Sequence, residues 1–247
     1  MMNKRRLRQI SDRTWVVLGS NRGIQPNVGI IVDESQTILV DCGNSPAWGR
    51  VIQEFLDYME APPVSHIIYT HHHWDHIFGA ISFDAKVIAH EKCLGYLKEE
   101  AEKPWGPACL QAEMEKDSRL RTSHEVKLKM IDNWGDFSIV LPQITFTDKM
   151  TLQLSESELY LEHAGGNHSD DSILVCDEKD QVLFSGDAFY PPPFHERTTD
   201  LDGAGFSEDV LRQILSHQVR FIVHGHGMPL TRSDLIKELN LPEEEKS

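Results

Sequence analysis

The sequence predicts a mixed protein of the α/β (α+β) class, in which strands and helices follow one another along the chain. Short runs of β-branched and other apolar residues recur through its 247 residues, separated by polar residues, Gly or Pro. Between some of these runs, apolar residues recur at helical spacing instead. Hydrophobic residues make up 40% of the chain, which is enough for a substantial buried core.

The first third of the chain is predicted to form strands, one helix and a crossover between parallel strands. The strands are expected at residues 13–18, 28–32, 37–41, 67–69 and 87–89, and the helix at residues 48–59. The helical pattern stops at Pro62-Pro63, because proline has no N–H to continue a helix. Residues 37–69 therefore read as strand, helix and strand, a unit that favours a parallel pair with a right-handed crossover.

Residues 91–135 have a different composition, rich in Glu, Lys and Arg with only sparse apolar positions. This pattern predicts a helical insertion, interrupted at Pro104 and Pro107, that serves as a lid or as the surface of a homodimer. Its basic residues form either a solvated helix face or a lid that contacts phosphate. They are Lys116, Arg119, Arg121, Lys127 and Lys129.

After the insertion, strands follow in quick succession, and helices lie near the end of the chain. Strands are expected at residues 144–146, 150–154, 158–162, 172–176, 182–185 and 221–223, and helices at 206–217 and 233–239. Ser233 is the expected cap of the last helix, and residues 243–247 are expected to fray. Because no linker-like stretch divides the chain, we expect a single domain over residues 1–247.

Charge and cysteine usage restrict the classes of function. The net charge of −15 repels phosphate backbones and anionic lipid, so we expect a small-molecule substrate, no nucleic-acid partner and no membrane partner. The chain contains no run of about 18 apolar residues, so no membrane span is expected. Widely spaced cysteines and a basic N-terminus without an apolar stretch predict a cytoplasmic protein without a signal peptide.

The segment from Thr70 to His76 reads Thr-His-His-His-Trp-Asp-His and offers four candidate metal ligands, His71, His73, Asp75 and His76. In an extended segment, residues 71 and 73 point the same way, so two imidazoles can meet one metal ion. Asp75 and His76, at the turn into the next element, can face a second ion. His72 points the opposite way and is expected to be structural.

Further motifs follow in a fixed order along the chain. They are Asp41-Cys42-Gly43, Gly165-Gly166-Asn167-His168, Phe184-Ser185-Gly186-Asp187 and His224-Gly225-His226-Gly227. Together with the histidine-rich segment, they resemble the metallo-β-lactamase superfamily of hydrolases over nearly the whole chain outside the insertion. The resemblance implies a four-layer αββα sandwich whose site lies where the ends of several strands converge.

The resemblance also implies two metal ions and the residues that hold them. The first ion would be bound by His71, His73 and His168, the second by Asp75, His76 and His226, and Asp187 would be shared. This set of nitrogen and oxygen ligands suits Zn²⁺ and is able to hold Fe or Mn. Asp41 would brace the metal-binding loop and, with other neighbouring groups, fix the imidazole tautomers.

The implied reaction is hydrolysis, with hydroxide bridging the two ions as the nucleophile and Asp75 orienting it and passing a proton to the leaving group. Tyr190 lies three residues after Asp187, where N-acyl-homoserine lactonases of this superfamily have a Tyr that contacts the substrate carbonyl; core packing is the competing interpretation. Tyr190 and the acidic loop 169–172 favour a carbonyl substrate such as an ester, lactone, thioester or β-lactam.

Other functions stay open. Phosphodiester hydrolysis is favoured only if the insertion brings its Arg and Lys side chains over the metals. A persulfide dioxygenase uses one iron, which His71, His168 and Asp187 could hold, but the complete second ligand set argues against it. A non-catalytic binding module would have lost at least one ligand, and none is lost here.

Overall fold

The computed structural model describes residues 3–20, 23–193, 195 and 207–238. The expected fraying of residues 243–247 lies outside these residues, as do the predicted helix ends at Phe206 and Leu239. No helix in the described part of the chain is both long enough and apolar enough to cross a membrane.

A seven-stranded sheet, in the order β1-β2-β3-β4-β5-β6-β7, forms one half of the fold. Its strands are Leu7–Gln9, Thr14–Val17, Val28–Val32, Thr37–Val40, Val64–Ile68, Lys86–His90 and Ile144–Phe146, numbered in that order. Neighbouring strands from β1 to β4 are antiparallel and those from β4 to β7 are parallel. Helix α1, Pro46–Tyr58, connects β4 to β5, which confirms the predicted unit of strand, helix and parallel strand.

A six-stranded sheet, in the order β13-β12-β11-β10-β9-β8, forms the other half. In chain order, β8 to β13 are Lys149–Gln153, Glu158–His163, Ile173–Asp177, Val182–Gly186, Phe221–His224 and Leu230–Thr231. Strands β11 and β12 pair in parallel, and the other neighbours are antiparallel. Helix α6, Glu208–Ser216, lies between the parallel strands in the sequence, and helix α7, Arg232–Glu238, follows β13.

Alternating side chains of the central strands fill different layers of the core. Ile30 packs with Phe55 of α1, whereas the next residue, Ile31, packs with Val175 of the opposite sheet. On the second sheet, Leu174 packs outward with the apolar face of α6. Successive residues of a strand point to opposite faces, so strands buried on both faces read as unbroken apolar runs. The layers are helix, sheet, sheet and helix, which confirms the predicted αββα sandwich.

The segment between β6 and β7 contains the predicted helical insertion. Its helices are α3, Glu91–Ala101, α4, Pro107–Lys116, and α5, Arg121–Met130. Helix α4 begins at Pro107, as expected because proline is tolerated in the first turn of a helix. Leu97, Leu110 and Met114 are buried on the inner side of the insertion.

Several short elements and one cap differ from the sequence-based expectation. The prediction did not include β1, β13 or the single-turn helix α2, Trp74–Ile77. The prediction that Ser233 caps α7 is wrong, because the helix begins one residue earlier, at Arg232. Thr231 Oγ1 instead accepts a hydrogen bond from the backbone N–H of Asp234 at 3.1 Å.

Candidate metal centre

The histidine-rich segment and three later loops converge at one edge of the two sheets. The segment 71–76 follows β5, His168 lies between β9 and β10, Asp187 follows β11 and His226 follows β12. Parallel strands end at the same edge of a sheet, which is why residues far apart in the sequence meet there. The structure brings all seven predicted metal ligands to this edge.

Their ligand atoms form three overlapping groups, each with all atoms within 4.8 Å of one another. The first group is His71, His73 and His168, the second is Asp75, His76 and His226, and the third is His71, His76 and Asp187. The first two are the sets that the resemblance implies for two separate ions. The third connects them through Asp187.

Asp187 lies between the two groups. Its Oδ2 is 3.4 Å from His168 Nε2 on one side and 3.5 Å from both His76 Nε2 and His226 Nε2 on the other. Asp75 Oδ2 completes the second group at 3.3 Å from His226 Nε2. One carboxylate therefore has ring nitrogens of both groups within reach, as a ligand shared by two ions requires.

Buried atoms without hydrogen-bond partners show that this site fits cations. Five buried side-chain polar atoms of the described residues make no hydrogen bond, and three of them, His71 Nε2, His76 Nε2 and Asp187 Oδ1, belong to predicted ligands. An unsatisfied buried polar atom destabilises a fold, and native structures contain few of them. All three atoms are metal-ligand types and lie in the same cluster, so divalent ions would satisfy them together.

Asp41 fixes the histidine loop from behind, as the Asp-Cys-Gly motif predicts. Its Oδ2 lies 2.7 Å from His76 Nδ1, and its Oδ1 accepts the backbone N–H of Thr70 at 2.8 Å. The backbone of Asp41 has a φ of +60°, a conformation that Asp tolerates better than most residues. With Nδ1 bonded to a carboxylate, His76 presents Nε2 to the centre of the site.

Burial and neighbouring rings keep one part of the site neutral. Burial lowers the pKa of His71 well below its usual value, and the nearby ring of His76 lowers it further. Burial and the ring of His168 have the same effect on the pKa of His73. Neutral imidazole is the form that binds a metal ion.

On the other side of the site, carboxylates raise the pKa values of two histidines. Burial alone would lower the pKa of His76, but the charges of Asp41, Asp187 and Asp75 raise it well above its usual value. Burial would likewise lower the pKa of His226, and its hydrogen bonds to Asp187 and Asp75 raise that pKa to about 9. These histidines must release protons when a metal ion binds.

A cavity of about 460 Å³ opens directly above these ligands. Asp75, Asp187 and His226 lie on its floor, and residues of the insertion, including Arg119 and Lys127, form part of its wall. The structure therefore places residues of the insertion against the site, and its role as a lid or as a homodimer surface stays a prediction. Pro193 lines the cavity too, so the proline-rich segment after Tyr190 forms another part of the pocket.

The carboxylates of the acidic loop 169–172 contact residues outside this cavity. Asp171 is fully buried and holds His72, with 3.0 Å between its Oδ1 and His72 Nδ1. Asp170 accepts a hydrogen bond from the Tyr96 hydroxyl and forms an ion pair with Lys92 at 3.1 Å. The carboxylates of Asp170 and Asp171 thus have partners outside the cavity, and the preference for a carbonyl substrate stays a prediction.

Tyr190 packs beside the site with its hydroxyl held by the loop that carries His226. The hydroxyl lies 2.9 Å from the carbonyl oxygen of His226 and also contacts His224 Nδ1. The ring centroid of Tyr190 is 6.3 Å from that of His168. These contacts fix the loop, and the substrate-contacting role of Tyr190 stays a prediction.

Sequence reasoning missed two residues whose side chains support the ligand loops, Thr70 and Asn27. Thr70 Oγ1 joins Asp41 to His71, with 2.9 Å to Asp41 Oδ2 and 3.1 Å to His71 Nδ1. The Asn27 side chain donates to the carbonyl oxygens of His224 and Gly227 at 2.7 and 2.9 Å. Thr70 opens the histidine-rich segment, but nothing in the sequence indicated its contacts, and Asn27 belongs to no recognisable motif.

A four-layer αββα sandwich with clustered His and Asp side chains at the edge of its sheets has the fold of a metal-dependent hydrolase. Residues 21–226 match the family model of the metallo-β-lactamase superfamily. The chain belongs to this superfamily. A comparison with curated proteins found no match.

Solved structures share the fold at low sequence identity. A metallo-β-lactamase from Pontibacter korlensis aligns with a TM-score of 0.62 and 16% identity, covering 95% of this chain and 97% of that one. The B3 metallo-β-lactamase BLEG-1 gives 0.61 and 20%, covering 91% and 96%. A double mutant of the sec-alkyl sulfatase PisA1 gives 0.67 and 14%, covering 97% of this chain but 41% of the sulfatase.

Proposed function

We propose that the protein is a hydrolase with a dinuclear metal centre that cleaves a small ester, lactone, thioester or β-lactam-like substrate. The observation that carries this proposal is the placement of seven ligand side chains, three of them with unsatisfied buried atoms, beneath a cavity of small-molecule size. Zn²⁺ is the ion we propose, since the ligands are imidazoles and carboxylates; the same set accommodates Fe or Mn.

Two ions held by these residues would supply Lewis-acid activation of water and of the substrate. The side chains supply the rest of the chemistry. Asp75 is buried, yet the neighbouring rings of His76 and His226 lower the pKa of its carboxyl below the usual value. It is therefore ionised at neutral pH and positioned on the cavity floor to accept a proton and return it to the leaving group.

A second candidate is phosphodiester hydrolysis on the same centre. The observation that favours it is the position of Arg119 and Lys127 in the cavity wall, the arrangement that this alternative requires. Against it, Asp117 neutralises Arg119 through a two-point contact of 3.0 and 2.7 Å. The net charge of −15 also disfavours polyanionic substrates, and we therefore prefer the carbonyl compounds.

The proposal is tested by metal analysis combined with a substrate screen. The protein, purified without chelator, should contain two divalent ions per chain by mass spectrometry. It should hydrolyse at least one class among p-nitrophenyl esters, lactones, thioesters and β-lactams, and lose that activity on chelation. Faster turnover of bis(p-nitrophenyl) phosphate would favour the second candidate. One iron per chain would instead support the dioxygenase alternative.

A matched pair of variants separates the site from the rest of the protein. Asp187→Ala should remove most activity and lower metal content, because it deletes the carboxylate between the two groups. Asp209→Ala, on the exposed surface of α6, should change neither. Unchanged metal content in Asp187→Ala would contradict the shared ligand.

We also propose a cytoplasmic location, supported by four cysteines that are all free thiols.

A further inference from the structure

Lys127 of helix α5 is a buried lysine beside the candidate metal centre. Only 6% of the residue is exposed, yet it lines the cavity whose floor contains Asp75 and Asp187. It also lines an adjoining pocket of about 170 Å³, whose walls include Trp74 and Trp105. Lys127 thus stands where the two spaces meet.

The ammonium group of Lys127 has no carboxylate partner in the described part of the chain. No Asp or Glu oxygen there lies within 4.0 Å of its Nζ, and the nearest hydrogen-bonding atom is His124 Nδ1 at 3.5 Å. The rings of Trp74 and Trp105 lie 5.0 and 5.6 Å away and offer weaker cation–π attraction. Lysines are rarely this buried unless they are paired.

Burial is unfavourable for this charge. It lowers the pKa of Lys127 to about 8, against the attraction of Glu100, Glu113 and Asp75, none of which forms an ion pair with it. The amine is still mostly protonated at neutral pH. A buried cation that has only a long contact to His124 and two aromatic rings, and no carboxylate partner in the described residues, points to an anionic partner that arrives from outside.

Neighbouring cations do have partners within the fold. Lys103 Nζ lies 2.7 Å from Glu100 Oε1 and 3.5 Å from Glu113 Oε1, and Arg119 is bound by Asp117. Among the lysines and arginines that line the two spaces in the described residues, Lys127 is therefore the one without a carboxylate contact. The site offers one unmatched positive charge beside aromatic walls.

We propose that Lys127 binds the carboxylate of a substrate that carries one, which rests on the proposed function and narrows its substrate class. The reacting carbonyl would lie over Asp75 and Asp187, and the carboxylate would lie at Lys127. A short carbon chain would pack against Trp74. One ammonium beside the indole rings of Trp74 and Trp105 matches a single carboxylate with a short carbon chain.

The test uses two esters of equal acyl length that differ in charge. Mono-p-nitrophenyl glutarate carries a carboxylate, whereas p-nitrophenyl pentanoate ends in a methyl group. The zinc-loaded wild type should prefer the glutarate by kcat/KM. Lys127→Met should lower that preference roughly 10- to 100-fold, mainly through KM, because one charge-assisted hydrogen bond is lost. Lys127→Arg should retain part of it.

Lys129→Met is the matched control, since Lys129 is exposed on the same helix. It should leave the ratio unchanged. An equal ratio in wild type and Lys127→Met would overturn the proposal. A loss confined to bis(p-nitrophenyl) phosphate would overturn it in favour of a phosphate ligand.

A binding measurement keeps the inference testable if neither ester is hydrolysed. Titration of the zinc-loaded protein with monomethyl glutarate should change tryptophan emission, because Trp74 and Trp105 flank Lys127. Methyl pentanoate should bind more weakly, and Lys127→Met should abolish the difference. Binding without turnover would contradict the proposed function alone, whereas equal binding of both compounds by the wild type would contradict the role of Lys127.

Thermal stability distinguishes a binding role from a structural one. Removal of an unpaired buried charge by the similarly long Met should leave Tm unchanged or raise it. A fall of several degrees with unchanged ester preference would make Lys127 structural and overturn the proposal.

Discussion

Asp41 is not a predicted metal ligand, but it determines which ring nitrogen of His76 faces the site. Its carboxylate accepts hydrogen bonds from Thr70 and faces His76 Nδ1, and the ring then has its Nε2 directed to the site. A carboxylate can only accept a hydrogen bond, so neutral His76 must carry its proton on Nδ1. The lone pair on Nε2 is therefore available for a metal ion.

We predict that Asp41→Asn weakens Zn²⁺ binding about 10- to 100-fold while preserving the fold. An amide can donate to Nδ1 and so favour the tautomer with a proton on Nε2, which blocks the ligand atom. Competition with a chromophoric chelator measures the affinity. Wild-type affinity in Asp41→Asn would show that this carboxylate does not set the tautomer.

Gly225 allows the loop between β12 and β13 to approach Asp187. A Cβ atom added at Gly225 would lie 1.9 Å from Asp187 Oδ1, inside any possible contact distance. The close approach to Asp187 therefore explains why the first position of the Gly-His-Gly motif is a glycine.

Gly225→Ala should displace Asp187 and lower kcat/KM roughly 100-fold, with reduced metal content, because small displacements in an active site have large effects. Gly95→Ala is the control, since a Cβ there meets no atom within 4 Å. Metal content and kinetics of the two variants should differ clearly. Normal values for both would mean that the loop can shift without harm.

Regular strands and helices were predictable because their burial pattern is regular. Strands such as Val28–Val32 and Val182–Gly186 are buried along most or all of their length, and their apolar runs identify them. Strand β1 has three residues, none of them buried, and β13 has two, so neither has a pattern to detect. Helix α2 has four residues, which is too short for helical periodicity.

The insertion is the element whose position the sequence could not predict. Its helices were expected from composition, but their docking over the cavity depends on long-range contacts such as that between Lys127 and Trp74. Leu97 of α3 is fully buried and packs in the core cluster that also contains Phe78. It links the insertion to the layer that supports the histidine loop.

Leu97→Ala should destabilise the protein by about 2–5 kcal/mol, the usual result of deleting a buried leucine side chain. It should also raise KM, because the insertion forms part of the cavity wall. Metal content should stay at the wild-type level, since no predicted ligand lies in the insertion. The exposed Lys98→Ala serves as control in chemical denaturation. A loss of metal in Leu97→Ala would show that the insertion supports the ligands directly.

The whole molecule combines charged and neutral histidines that respond to pH in opposite ways. The raised pKa values of His76 and His226 contribute stability below pH 6.5, and this is lost as the pH rises toward about 9. The lowered pKa values of His71 and His73 contribute stability that is lost as the pH falls below 6.5. In chelator-treated protein, both contributions to stability are therefore present together near pH 6.5.

We therefore expect the Tm of chelator-treated protein to be highest near pH 6.5 and to fall toward about pH 8. Zinc binding improves over the same range, because ligands bind in their deprotonated form. The Tm difference between zinc-loaded and chelator-treated protein should then widen from about pH 6.5 to 8. Calorimetry checks this, and a constant difference would contradict the charge assignment of His76 and His226.

At the scale of the molecule, the sequence predicted more through motifs than through periodicity. Strand and helix patterns gave a mixed α/β class, whereas the four-layer sandwich followed from the resemblance, which the family match over residues 21–226 bears out. The seven ligand candidates lie together because their motifs end strands at one edge. The burial of Lys127, by contrast, depends on the docking of the insertion and could not be predicted from its place among several basic residues.

The central claim is that seven side chains hold two cations at the edge of the sandwich. A crystal structure of the zinc-loaded protein, with anomalous data at the zinc edge, tests it most directly. We predict two peaks, one among His71, His73 and His168 and one among Asp75, His76 and His226, with Asp187 in contact with both. A single peak, or solvent alone among these side chains, would contradict it.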